Sequence, residues 1–246
     1  MSTWVVITAA GSGTRLGANA PKALVEVSGR TLLGLALERT LDLADLSGVV
    51  VTCPAGSEDM FANVVDKELP RMGVPRQVGL HFVAGGASRQ ASVKAGLDKV
   101  VSEGGEPADV VLIHDAARAL APTDLMDRLV EAVVEGALAV IPGLAVTDTI
   151  KQVAVDEHGV ETVVATPDRR FLRVAQTPQA FLLGPLWDAH AAAADRGSTE
   201  ETAATDDASL FEGVAVIPGS PLAFKVTTPE DLTNLTTALA QVSDPA

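Results

Sequence analysis

Short apolar runs alternate along the chain with stretches of helical spacing. Trp4–Thr8, Val49–Thr52, Leu80–Val83, Asp109–Ile113 and Leu138–Ile141 are rich in β-branched residues and have the length of buried strands. Between them lie four helical patterns. Thr31–Thr40 carries Leu32, Leu33, Leu35, Ala36 and Leu37, and Ser57–Leu69 turns Met60, Phe61, Val64 and Val65 inward. Gln90–Val101 is the third. The fourth starts at Thr123 as N-cap and puts Leu125, Met126, Leu129, Val130 and Val133 on one face. Continuous apolar strands separated by amphipathic helices predict an α/β fold: a Rossmann-like, mostly parallel sheet with helices on both faces.

The pattern changes after residue 147. Asp148–Val155 and Val160–Ala165 partly alternate polar with apolar residues around Asp156-Glu157-His158-Gly159, which predicts a β-hairpin with one wet face. Such a hairpin projects as an arm over 147–170 and finds its cover on a partner subunit. Beyond it come an Ala-rich helix near Leu186–Asp195, the acidic stretch Glu200–Glu212, and strands at Val214–Ile217 and Leu222–Val226. Thr228 caps a last helix that begins at Pro229. Neither an internal repeat nor a linker occurs in the 246 residues, so one domain with its arm is expected.

Polar chemistry collects where strands end. The first run breaks into Ala9-Ala10-Gly11-Ser12-Gly13-Thr14-Arg15-Leu16-Gly17, with Pro21-Lys22 after it. Small residues let backbone N–H groups close on an anion, and Arg15 and Lys22 add full charges. A dinucleotide fingerprint would need a small residue where Leu16 stands, and a P-loop would need a Gly-Lys-Ser/Thr triplet; both readings fail. An ordinary strand-to-helix turn is the bland alternative. Gly85-Gly86-Ala87-Ser88-Arg89 and His114-Asp115-Ala116-Ala117-Arg118 end two further strands. In parallel sheets, ligands sit at the carboxyl ends of strands, so one cleft is expected to gather all three segments.

Composition narrows the partners. A formal net charge of −14 excludes a general nucleic-acid binder. Between Met1 and Arg30 only Arg15, Lys22, Glu26 and Arg30 are charged, so the first loop is a cationic island on an acidic chain. The single Cys53 excludes an intrachain disulfide and a cysteine zinc site, and four scattered histidines form no ligand cluster. Neither a signal-peptide pattern nor an apolar run of about 18 residues is present, so a cytoplasmic protein without a membrane partner is expected.

The first loop resembles the start of the nucleotidyltransferases that activate sugar phosphates. Together with Gly85-Gly86-x-x-Arg89 and Ser92-Val93, His114-Asp115-Ala116-Ala117-Arg118, Asp148-Thr149-Ile150-Lys151, Gln176-Thr177-Pro178-Gln179, Thr205-Asp206-Asp207-Ala208-Ser209 and Lys225-Val226-Thr227, it forms an ordered series over roughly Trp4–Leu239. That series resembles the 2-C-methyl-D-erythritol 4-phosphate cytidylyltransferases of the non-mevalonate isoprenoid pathway.

The resemblance implies a nucleotide-diphospho-sugar transferase type of fold and CMP transfer from CTP to methylerythritol phosphate. It also implies Mg²⁺ on the triphosphate, and a homodimer in which each arm reaches the neighbour's site. On this resemblance Arg15 and Lys22 stabilise the transition state. Ala9, Ala10, Gly11, Ser12, Gly13, Gly86, Ser92 and Asp115 take CTP. Asp115, Arg118, Thr149, Arg169, Thr177 and Lys225 face methylerythritol phosphate, with Arg169 and Lys225 also counted as catalytic, and Asp115 is the metal candidate. An internal Asp115–Arg118 pair pinning a loop competes with this. His114 is expected to be structural, because its side chain points opposite to that of Asp115.

Three departures are visible. Ala119 stands where the family usually has proline, which would loosen that turn. Ala87 replaces a residue often acidic, and the arm between Lys151 and Arg169 is somewhat long. A cytidylyltransferase for another polyol phosphate such as ribitol 5-phosphate would share the CTP half. A catalytically silent nucleotide-binding module would not need both Arg15 and Lys22.

Overall fold

The computed structural model describes residues 1–11, 13, 16, 20–72, 78–194, 199 and 204–243. Its first half alternates strand and helix: β1 (Thr3–Thr8), β2 (Glu26–Val27), β3 (Arg30–Thr31), α1 (Leu32–Leu41), β4 (Leu46–Cys53), α2 (Glu58–Met72), β5 (Gly79–Ala84), α3 (Arg89–Ser102), β6 (Val110–Asp115), α4 (Thr123–Val134) and β7 (Ala139–Ala145). Then follow β8 (Gln152–Val155), β9 (Glu161–Ala165), β10 (Arg173–Ala175), β11 (Gln179–Leu182), α5 (Leu183–Ala192), β12 (Ala215–Pro218) and α6 (Pro229–Ser243).

Among the described residues, eight strands build the central sheet in the order β10-β7-β11-β6-β1-β4-β5, with β12 also on β7. β5, β4, β1 and β6 run parallel, and β12 runs parallel to β7. β11 lies antiparallel between β6 and β7, and β10 pairs antiparallel with the far end of β7. The sheet is therefore mostly parallel, with antiparallel strands confined to the β7 side.

The central strands β1, β4 and β6 are mostly apolar because both faces of the sheet are covered there. Val5 and Ile7 of β1 pack with α1, α2 and α4, whereas Trp4 and Val6 pack with α3 and α5. Close approach on the second face depends on Gly96: a Cβ there would lie 2.4 Å from Val6 Cγ1. Thr31 starts α1 by accepting the Gly34 N–H at 2.9 Å. Thr228 lies at the start of α6, where its hydroxyl accepts the Asp231 N–H.

The register brings the chemistry together. Thr8 pairs with Thr52 on one side and with Asp115 on the other, so the carboxyl ends of β1, β4 and β6 are level. β5 ends beside β4, where Ala84 pairs with Cys53. The loops after β1, β5 and β6 thus open on one edge.

Several expectations need correction. Met60 is exposed, because the inward stripe of α2 runs Phe61, Val65, Glu68, Met72. Pro122, not Thr123, takes the N-cap position of α4, and the Thr123 hydroxyl donates to the Arg39 carbonyl instead. The expected strand Leu222–Val226 is a 3₁₀ turn at Pro221–Ala223 followed by extended chain. Pro221 lacks the N–H a ladder needs, and the Val226 N–H donates to the Ala117 carbonyl. The Ala-rich helix starts earlier than expected, at Leu183, and Asp195 lies outside the described residues.

The hairpin is present as the antiparallel pair β8–β9, a sheet of its own. Every residue of both strands is exposed.

Candidate active site

A cavity of about 540 Å³ opens at the level edge of the sheet. Its wall draws on Thr8–Gly11, Gly13, Leu16, Lys22 and Ala23 after β1, Gly86–Arg89 and Ser92 around the start of α3, Asp115–Ala117 after β6, and Lys225 and Thr227. The three segments expected to converge do meet.

Small residues form the loop wall for a geometric reason. The Lys22 N–H donates to the Gly11 carbonyl at 3.2 Å, folding the loop back on itself. Gly13 has φ +70°, and a Cβ there would lie 3.1 Å from the Lys22 backbone. Only glycine combines that left-handed backbone with so close a neighbour. Lys22 opens a 3₁₀ turn over Lys22–Leu24 and lines the cavity. Ser12 and Arg15 lie outside the described residues.

Across the cavity, Ser88 caps α3 by accepting the Ala91 N–H. The Ser92 hydroxyl accepts the Gly86 N–H at 3.1 Å and donates to the Ser88 carbonyl at 2.9 Å. Gly86 and Ser92 are therefore held as one unit, beside Ala9 and Ala10.

Asp115 is the electrostatic centre. Its Oδ1 accepts from Arg89 Nε at 3.2 Å and the Thr8 hydroxyl at 3.2 Å, and its Oδ2 accepts from Lys225 Nζ at 2.7 Å. Burial would raise the Asp115 pKa. The charges of Arg89, Lys225 and Arg118, with the Lys225 hydrogen bond, reverse that and hold the carboxyl far below the usual range. It is the one carboxylate lining the cavity among the described residues. No group of three or more His, Cys, Asp or Glu side chains suited to a metal occurs among them.

Arg118 and Thr177 sit behind the wall rather than in it. Arg118 donates through Nη1 to the Ala223 carbonyl at 2.7 Å and through Nη2 to the Ala175 carbonyl at 3.3 Å, tying the Lys225 segment to β10. Thr177 is buried; its hydroxyl accepts the Asp115 N–H at 3.0 Å and lies 3.2 Å from His114 Nδ1. His114 is fully buried, and burial pushes its pKa down to about 4. The turn after Asp115 is closed despite Ala119: the Arg118 N–H donates to the Asp115 carbonyl and the Ala121 N–H to the Arg118 carbonyl. Thr149 and Arg169 lie exposed on the arm, outside this cavity, with the Arg169 guanidinium donating to the Thr147 carbonyl.

Sequence reasoning gave Arg89 no role, although Gly85-Gly86-x-x-Arg89 was in view. It also gave none to Asp207, which sits in Thr205-Asp206-Asp207-Ala208-Ser209 and pairs with Arg89 Nη1 at 2.7 Å. His190, bonded to Asp207, offered no local signal at all.

The family model of "IspD: 2-C-methyl-D-erythritol 4-phosphate cytidylyltransferase" matches residues 3–241. The chain belongs to this family. It is a cytidylyltransferase enzyme. A Saccharopolyspora erythraea relative of the same name is 45% identical over 240 residues, covering 94% of this chain and 96% of the relative. A bifunctional IspD/IspF enzyme of Clavibacter michiganensis is 47% identical over 232 residues. That match covers 93% of this chain but 52% of the relative, so the chain spans about half of that longer protein. Among solved structures, the Thermus thermophilus 2-C-methyl-D-erythritol 4-phosphate cytidylyltransferase has a TM-score of 0.70 and 34% identity, covering 98% of this chain and all of that one. Among the described residues of this cytidylyltransferase, no helix is long and apolar enough to cross a membrane.

Proposed function

We propose that this chain transfers CMP from CTP to 2-C-methyl-D-erythritol 4-phosphate, giving 4-diphosphocytidyl-2-C-methyl-D-erythritol and pyrophosphate. The observation that carries the assignment of roles is the cavity itself. Lys22, Arg89 and Lys225 line it, on a chain whose net charge is −14. An acceptor phosphate oxygen forms a bond to the α-phosphorus of CTP while the bond from that phosphorus to the β-phosphate oxygen breaks. The task is to bring two anions together and neutralise charge as it develops, which needs positioned cations and no protein nucleophile.

In this reading the small wall of Ala9, Ala10, Gly11, Gly13, Gly86 and Ser92 receives the nucleotide. Ser12 is assigned there too, from the motif. Lys22, with Arg15 assigned from the same motif, holds the triphosphate through the transition state. Lys225 holds the acceptor phosphate, and Asp115 faces the acceptor and the nucleotide. Arg118 and Thr177 belong to the acceptor side, where their hydrogen bonds hold the chain that carries Asp115 and Lys225.

Mg²⁺ is part of the proposal. The donor set fits a hard cation carried in by the nucleotide: Asp115 is the one carboxylate lining the cavity among the described residues, so phosphate and water oxygens would complete its shell. When bound, the ion neutralises triphosphate charge.

We place 1–246 in one nucleotidyltransferase domain whose 147–170 arm dimerises and lends Thr149 and Arg169 to the neighbouring site. Val153, Val155, Val160, Val163 and Val164 are exposed on the arm and Phe171 beside it is 81% exposed, so these apolar groups have no cover among the described residues of the protomer. A cytoplasmic location and small-molecule partners, with neither nucleic acid nor membrane among them, complete the reading.

The deciding experiment measures pyrophosphate release with CTP and methylerythritol phosphate, against ribitol 5-phosphate as acceptor and UTP or ATP as donor. Methylerythritol phosphate with CTP is expected to give the highest kcat/KM. Comparable turnover of ribitol 5-phosphate would overturn the acceptor assignment.

A further inference from the structure

From the core out to the cavity lining, five polar side chains form a continuous line of close contacts. His190 Nε2 lies 2.9 Å from Asp207 Oδ1, Asp207 Oδ2 lies 2.7 Å from Arg89 Nη1, Arg89 Nε lies 3.2 Å from Asp115 Oδ1, and Asp115 Oδ2 lies 2.7 Å from Lys225 Nζ. The inner end is sealed, with Asp207 and His190 each 1% exposed, whereas the Lys225 side chain is 42% exposed. We propose that Asp207 is a positioning residue which acts through Arg89 and Asp115 to place the Lys225 ammonium for the acceptor phosphate, and that His190 holds Asp207 for that task. The proposal rests on the cytidylyltransferase reading of the cavity.

The geometry separates this role from simple scaffolding. Asp207 begins a 3₁₀ turn over Asp207–Leu210, and that turn is already fixed by other bonds. Asp206 accepts the Ser209 N–H at 3.0 Å and Gln179 Nε2 at 2.9 Å, and Gln179 Oε1 accepts the Ala208 N–H at 3.2 Å. The buried charge of Asp207 is not needed to hold the turn. Burying a carboxylate is costly unless an opposite charge faces it, and an apolar residue would serve packing as well or better.

What the charge does is orient Arg89. A guanidinium is a planar fork, and a partner at each edge fixes its plane. With Asp207 on Nη1 and Asp115 on Nε, the Arg89 guanidinium is held in one plane at the cavity lining, against Asp115. Arg89 and Thr8 together occupy Asp115 Oδ1, which leaves Oδ2 directed at Lys225. Burial opposes the charge on both carboxylates, and Arg89 restores it in each, so both lie below the ordinary range and stay ionised at neutral pH.

Asp207→Asn tests this in the full chain, because it keeps the shape and removes the charge. With each substrate varied in turn, kcat/KM for the acceptor phosphate is expected to fall about 10- to 30-fold while KM for CTP stays within about twofold. In a Lys225→Ala background the same substitution should cost less than about twofold, since both act on one ammonium. Losses that multiply, an equal rise in both KM values, or unchanged kinetics would each overturn the proposal.

A second readout needs no turnover. Reductive ¹³C-methylation gives a Lys225 resonance, identified by its absence from Lys225→Arg, and Asp207→Asn is expected to shift it. An unmoved resonance overturns the proposal. A shift in a protein that fails to couple CTP to methylerythritol phosphate would overturn the reading of the cavity instead. Should Asp207→Asn lose the native circular dichroism, His190→Gln is measured in its place. A smaller loss on the acceptor side alone is then expected, and wild-type kinetics would overturn the proposal.

Discussion

The cavity and the arm are built on opposite principles. Around the cavity, buried polar groups are tied to one another: Asp115 has three side-chain donors, Thr177 serves both Asp115 and His114, and Gly86 is locked to Ser92. On the arm, β8 and β9 pair only with each other among the described residues, and every residue of both strands is exposed. A two-stranded hairpin with its apolar residues in water is marginal by itself. The contrast teaches that the cavity is assembled within one protomer, whereas the apolar surface of the arm stays open to solvent among the described residues.

The largest effect should come from breaking the cavity side. Lys22→Ala is expected to lower kcat by about 100-fold or more, since a charge-assisted contact realised in the transition state is worth about 1.5–3 kcal/mol and adjoining contacts weaken with it. The melting temperature should stay close to wild type, because Lys22 is only partly buried. A rate within tenfold of wild type would remove Lys22 from the chemistry.

Next comes the arm. Arg169→Ala is expected to lower activity about 10- to 100-fold without unfolding the protein, since its one described bond is to the exposed Thr147 carbonyl. Mixing it with Lys22→Ala should restore about a quarter of the sites, as random pairing gives half heterodimers with one intact site each. Without recovery in the mixture, the arm would not serve a neighbour's site.

Smaller still is Val163→Glu. On an exposed strand it should change protomer stability by less than about 0.5 kcal/mol, yet lower the dimer fraction seen in sedimentation, with activity falling most at low protein concentration. An unchanged dimer population would place the interface elsewhere.

The last prediction leaves the rate at neutral pH alone and concerns His114 behind the cavity. Burial first, with Arg118 adding to it, lowers its pKa from the ordinary 6.5 to about 4, against the pull of Asp115. Between those values the unfolded chain takes up a proton that the folded protein refuses. Stability therefore declines as pH falls through that window, by up to about 3 kcal/mol. Urea unfolding at pH 7 and pH 4.5 should show the decline in wild type, and His114→Gln should flatten it. An equal slope in the variant would assign the dependence to other groups.

Much of the first half was legible because its signals are local. Trp4–Thr8 reads as a strand from five consecutive residues, Thr31 sits where a cap belongs, and the three polar segments lie at strand ends that a parallel sheet must align. Legibility failed where identity depends on distant partners. Met60 looks as apolar as Phe61, and only the helix phase turns it outward. The sequence likewise gives no sign that the side chains of Gln176-Thr177-Pro178-Gln179 brace the site: Gln176 on Ser220 and Ala223, Thr177 on Asp115, Gln179 on Asp206 and Ala208.

By itself the sequence determined the alternation of strands and helices, the small cationic loop, the acidic remainder of the chain and the hairpin. These follow from neighbouring residues, through backbone preference and hydrophobic period. Tertiary structure alone decided that β11 enters antiparallel between β6 and β7, that Lys225 reaches Asp115 from 110 residues away, and that Asp207 stands behind Arg89 across 118 residues. Strand pairing and burial of charge are settled by what packs opposite each group, and a buried charge persists only beside its counter-charge.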